Sequence, residues 1–240
     1  MLQAFKQELR LNRKDNWMML AFLGGGFLVG FVILCAVLGF AGEERWFPMG
    51  TLMGGMAIII SAIVCDGLGL KQRYMVALSM GRTRKPQLAA AMLTAVLRAA
   101  AALLVIWPVS RLDLALYSIL FRANGMESGV SEFLLRYITP KYLLIGILPI
   151  VCIGFLIAAV QGKFGKKGGI AIYFAFLACC IGLPRMIEFA QNRPHSIFGR
   201  LLTAMTALPL AAWVAIAVLL LLLILTVSVR ILFRLRVELD

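Results

Sequence analysis

Acidic residues are scarce in this 240-residue chain: 11 Asp and Glu stand against 24 Lys and Arg, and histidine occurs once. Proton transfer and metal binding need acids, bases or ligands that face one another, and the chain has few to bring together. His195 lies in a proline-flanked loop with no HExxH partner. Asp66 and Glu188, the acids nearest to long apolar runs, fall near opposite membrane faces in the topology derived below, so they form no dyad. There is no CxxC pair; Cys35, Cys65, Cys152, Cys179 and Cys180 all sit inside apolar runs, where a thiol is a small packing residue. GxxxxGK[ST] is missing too, and in the stretch Gly162–Gly168 no Ser or Thr follows a Gly-Lys pair, so nothing here cradles nucleotide phosphates. An intramembrane hydrolase and a self-contained ATPase are therefore not expected, and the chain should carry no cofactor or metal of its own.

What the chain does have is hydrocarbon. Apolar residues make up 62% of it and the mean hydropathy is +0.95, where a soluble domain is about half apolar. Unpaired backbone groups cannot be left in lipid, so such runs must be helices or a closed barrel, and period-two alternation is lacking. The expected fold is all-α: a polytopic membrane protein with six spans at about 17–40, 49–65, 87–109, 142–160, 168–183 and 201–233, in one transmembrane domain covering 1–240. The first run is too long for a signal-peptide core and is expected to stay as a span. Before it, residues 1–16 place Leu2, Phe5 and Leu9 on one face of a basic amphipathic helix suited to the headgroup plane.

Within this frame several segments are irregular. Gly26 and Gly30 in the first span, and Gly50 and Gly54 in the second, make GxxxG steps that let backbones approach closely. Residues 110–140 mix apolar stretches with Asn124-Gly125 and scattered charges, which predicts short helices on the membrane surface. The run 168–183 is short for a bilayer and meets Pro184, so residues 184–190 either end a plain span or form a re-entrant helix.

The net charge of +13 is spread through the interhelical loops, with no patch or stripe of the kind that binds nucleic acid, so anionic lipid headgroups are the expected counterpart. Counting Lys and Arg on alternate sides gives fifteen on the side that holds the N-terminal segment, the 66–86 loop, the 163–167 loop and the tail, against eight on the other. Both termini are then cytoplasmic. Arg98 falls within the third span, thirteen residues from Lys85, and so about 20 Å deep at a rise of ~1.5 Å per residue. An arginine there faces a cavity or an interface, where it meets an anionic group, or else it pairs helices through backbone carbonyls. In the loop 66–86, Tyr74, Ala77, Leu78 and Gly81 share a helical face, and Arg82, Arg84 and Lys85 cluster at its end. This pattern suits either a short helix on which a cytosolic domain pushes or a basic anchor for anionic lipid.

At this loop the sequence resembles the membrane subunits of bacterial ABC-2-type transporters, specifically the small six-span permeases that accompany a separate ATPase. The likeness rests on Leu78-Ser79-Met80-Gly81-Arg82-Thr83-Arg84-Lys85 between spans two and three, and on Phe164-Gly165-Lys166-Lys167-Gly168 before span five. The chain departs from the pattern at Pro86-Gln87, where many relatives carry an aromatic residue. The resemblance implies that Tyr74, Leu78, Ser79, Gly81, Arg82, Thr83, Arg84 and Lys85 form a cytoplasmic coupling helix seated in ABC ATPase subunits, which hold the ATP and Mg. It further implies a second permease subunit, the same or homologous, a bacterial cell membrane, and export of an amphipathic peptide, lipid or drug. Arg98 and Glu188 are then candidates for the pathway or for helix packing. The competing expectation is a membrane binding or immunity protein, or a substrate-capture subunit, that transports nothing itself.

Overall fold

A computed structural model describes residues 5, 6, 8, 10, 12–41, 47–79, 83–121, 138–192 and 209–234. All regular structure among these residues is helical: α1 (Arg13–Ala41), α2 (Met49–Ser79), α3 (Arg84–Phe121), α4 (Pro140–Leu143), a 3-10 turn (Leu144–Gly146), α5 (Ile147–Asn192) and α6 (Leu210–Arg234). Among the described residues, five helical stretches are long and apolar enough to cross a membrane: Arg13–Phe40, Met49–Ser79, Arg84–Leu120, Pro140–Gly165 and Ala211–Arg234. A shorter apolar helix, Lys167–Ala178, follows the fourth. The chain divides into two compact units, residues 1–155 with 237–240, and residues 156–236.

In the first unit α2 is the central helix, packed against both α1 and α3. The α1–α2 contact is set by the two GxxxG steps, which face each other. A Cβ placed on Gly26 would lie 2.9 Å from the Met53 carbonyl oxygen, and one on Gly30 would lie 2.9 Å from the Gly50 Cα. Positions 26 and 30 thus meet 54 and 50, which makes the helices antiparallel. With no solvophobic drive between helices in lipid, small residues that admit backbone contact supply the dispersion energy. The glycine pattern is used up inside this chain.

Helix α3 runs antiparallel to α2: Gly55 lies beside Ile106, Asp66 beside Arg98, and Thr51 beside Asp113. It corrects the sequence expectation for residues from 110 onward, since it continues through Pro108 to Phe121. Pro108 removes one helical hydrogen bond, yet stopping the helix there would free several backbone groups at once. The continuation also carries Asp113 to α2, and it buries Tyr117 against Leu34, Leu38 and Met49. Residues 122–137 lie outside the described residues. On the outward face of α2, Met53, Met56, Ile60, Val64 and Leu68 are exposed at steps of three and four, a stripe for lipid.

The second unit begins within α5. Gly165 breaks this helix with φ 60° and ψ −140°, a conformation open to glycine because it has no Cβ. The chain folds sharply there, so that a Cβ on Gly168 would meet the Val160 carbonyl oxygen at 2.7 Å. Beyond the break the helix passes through Pro184 and ends at Asn192. Pro184 is therefore not the end of the fifth apolar run. Helix α6 starts as the N–H groups of Ala212 and Trp213 donate to the Pro209 carbonyl, and residues 201–208, expected to begin the last span, lie outside the described residues.

Candidate functional site

Among the described residues, four of the five acids lie in the first unit and join helices there, at three levels along α2. At the N-terminal end of α2, Asp113 Oδ2 accepts hydrogen bonds from the Thr51 backbone N–H and from Thr51 Oγ1, both at 2.9 Å. A helix leaves its first N–H groups without partners; here an acid from a neighbouring helix satisfies one of them and complements the positive end of the dipole. Asp113 is fully buried, and it fits because position 50 is glycine, whose added Cβ would sit 3.1 Å from Asp113 Oδ1.

The second level is fifteen residues on, roughly 22 Å at ~1.5 Å per residue. There Arg98 Nη1 donates to Asp66 Oδ1 in an ion pair whose two side chains are 4% and 2% exposed. The exposed leucines Leu68 and Leu97 flank the pair, so it sits at a depth where the helices face hydrocarbon. Gly154, in the first turns of α5, faces it, and a Cβ at that position would lie 3.0 Å from Asp66 Cβ. Taking two charges out of water is costly, and their mutual attraction offsets this only with close geometry. Arg98 thus joins α3 to α2 through the Asp66 carboxylate. Asp66, expected at the start of a loop, lies inside α2.

The third level surrounds Arg73. Its Nε donates to Glu8 Oε1 at 3.0 Å and its Nη1 to Asp15 Oδ2 at 2.6 Å. Gln87 Nε2 donates to the other Glu8 oxygen at 3.1 Å. Glu8 is 1% exposed and so ties together Arg73, near the end of α2, and Gln87, near the start of α3. The Asn12 N–H donates to the Glu8 carbonyl, and Asn16 N–H to that of Asn12, each at 3.0 Å, so the N-terminal segment leads into α1 with helical bonding. Of the helix expected in the headgroup plane, Leu2 and Leu9 lie outside the described residues, and Glu8 faces the bundle with two partners there.

The segment resembling a coupling element is placed in part. Tyr74 is 1% exposed, Leu78 is half-buried, and Ser79 is exposed with its hydroxyl donating to the Val76 carbonyl at 2.8 Å. Thr83 and Lys85 are exposed and Arg84 is half-buried at the start of α3. Gly81 and Arg82 lie outside the described residues. Residues 74–79 are the last turns of α2 and not a separate helix, because the buried face Leu70–Tyr74–Ala77 continues the packed face of α2 without interruption. Glu188 is exposed on α5 in the second unit, and His195 lies outside the described residues.

No family model, curated protein or solved structure matches this chain. The site must therefore be read from its own chemistry. Among the described residues no three His, Cys, Asp or Glu side chains are grouped to hold a metal ion, and each buried acid is bound to a cation or to donor groups of a neighbouring helix. Such an arrangement fixes helices relative to one another. Sequence reading missed Glu8, Asp15, Thr51, Arg73 and Asp113 as partners. The available signal was their scarcity: an acid in or beside an apolar helix has to find a donor.

Proposed function

We propose that the chain is the membrane subunit of an ATP-driven exporter of the ABC-2 type, worked by a separate ATPase that holds ATP and Mg. The observation that carries this reading is the clamped α2–α3 hairpin. Two long helices are joined at Thr51–Asp113 and at Asp66–Arg98, and the Glu8 network braces them near the helix ends that carry Ser79, Thr83, Arg84 and Lys85. A push on those ends moves the pair as one body over the roughly 40 Å separating Ser79 from Thr51, where a floppy loop would absorb it. In this reading those helix ends and both termini are cytoplasmic, the membrane is the bacterial cell membrane, and Lys167–Ala178 begins a sixth span. A second permease subunit completes the pathway, and the cargo is an amphipathic peptide, lipid or drug.

The test is co-purification of the full chain with any stand-alone ABC ATPase found encoded beside it, in lipid nanodiscs, with ATP turnover measured. Arg84→Glu and Gly81→Trp should each lower stimulation at least tenfold while the chain still inserts and melts normally. Unchanged binding and stimulation in both variants would overturn the docking assignment. A chain that binds no ATPase and stimulates none would be a membrane binding protein instead.

A further inference from the structure

A cavity of about 250 Å³ lies between α1 and α3, floored by Ile58 of α2. One end is polar, formed by Asn12, Thr94 and Arg98, and the other is apolar, formed by Ile58, Leu20 and Val105. Two of the polar residues carry unspent hydrogen-bonding capacity. Both amide atoms of Asn12, which is 2% exposed, and the Nε of Arg98, which is 6% exposed, have no partner among the described residues. A buried amide left unpaired costs free energy, and nothing in the clamps described above uses the Asn12 side chain. Leu20 and Leu97 are 47% and 48% exposed, so the cavity opens sideways between them, toward lipid.

We propose that this cavity binds an uncharged single-chain amphipath whose head carries hydroxyl and ester groups, the chemistry of a monoacylglycerol. An ester or hydroxyl oxygen accepts from Arg98 Nε and from Asn12 Nδ2, while a hydroxyl donates to Asn12 Oδ1. Absence of charge follows from the partner already present: Asp66 neutralises Arg98, so an anionic head would bring an excess charge into the bundle. Water satisfies the polar end but finds no partners along the apolar walls. The volume lies below the range of about 300–1,000 Å³ typical of drug-sized ligands, which favours a small head and one chain whose tail leaves between Leu20 and Leu97. The site involves none of the turn residues in the docking assignment, and either can fail without the other.

The experiment uses the purified full chain alone in phosphatidylcholine nanodiscs. A monoacylglycerol with a photoreactive diazirine in its chain is cross-linked and the labelled peptides are identified by mass spectrometry, with the matching fatty-acid carboxylate as comparator. Label should concentrate in residues 12–20 and 94–105 and be competed by unlabelled monoacylglycerol. Asn12→Leu should weaken binding about tenfold, the loss expected for roughly one well-made hydrogen bond, without lowering the melting temperature of the ligand-free chain. Leu97→Trp, at the exposed mouth, should reduce labelling without touching the polar end. Label spread evenly over the lipid-facing helices, indifference to both variants, or preference for the carboxylate would each overturn the proposal.

Discussion

Arg98 and Asp66 show how far a single pair can govern a membrane bundle. Either residue alone would be an uncompensated charge at a depth where exposed leucines mark hydrocarbon; together they are a neutral unit that also sets the register of α2 against α3. Breaking a buried pair by removing one partner costs about 3–5 kcal/mol, whereas replacing both with apolar residues is often neutral. Arg98→Leu and Asp66→Leu should therefore each destabilise the protein by about that amount, and the double variant should recover most of the loss. Denaturant titration of the four proteins in one detergent measures this cycle, and a loss in the double variant equal to the sum of the two single losses would show that the pair is not coupled. The position of Arg98 within a span was legible from the distance to Lys85. Its partner was not, because Asp66 sits at the end of the most apolar part of its run, and a helix that continues there is indistinguishable in composition from a loop that begins.

At the scale of elements, the α1–α2 hairpin rests on backbone proximity. Gly26 and Gly30 face α2 so closely that a methyl group must push the helices apart, while Gly24 and Gly25, a short distance along the same helix, have nothing within 4 Å of an added Cβ. Gly30→Ala should cost about 1–3 kcal/mol, the range for overpacking. Gly24→Ala should be neutral or slightly stabilising through helix propensity. Thermal unfolding in detergent distinguishes the two, and equal effects would argue that the hairpin is held by something other than close approach. Both GxxxG steps were plain in the sequence; that each is the other's partner became visible with the fold, since the same spacing serves equally for contact with another chain. The helices that run through Pro108 and Pro184 teach a related lesson. Proline marks a helix end in water, where freed carbonyls find solvent, but in an apolar bundle losing one hydrogen bond is cheaper than ending the helix.

For the whole molecule, the N-terminal segment has a role in the first unit that its sequence pattern did not indicate. Glu8 joins Arg73 on α2 to Gln87 on α3, so the start of the chain braces the base of the hairpin. Glu8→Ala should leave Arg73 with Asp15 and the Cys65 carbonyl, and Gln87 Nε2 without its Glu8 partner. Amide hydrogen exchange should then quicken in residues 8–16 and 84–90 while the Thr51–Asp113 end is unchanged; uniform exchange across α2 and α3 would contradict a local brace. Composition was enough to set the all-helical class, the membrane as solvent and the placement of most apolar helices, because hydrocarbon leaves the backbone so few choices. Which acid meets which cation, where α2 ends, and which glycines touch depended on three-dimensional packing, because these contacts join residues 20 to 79 positions apart and no local pattern records the distance a folded chain closes between them.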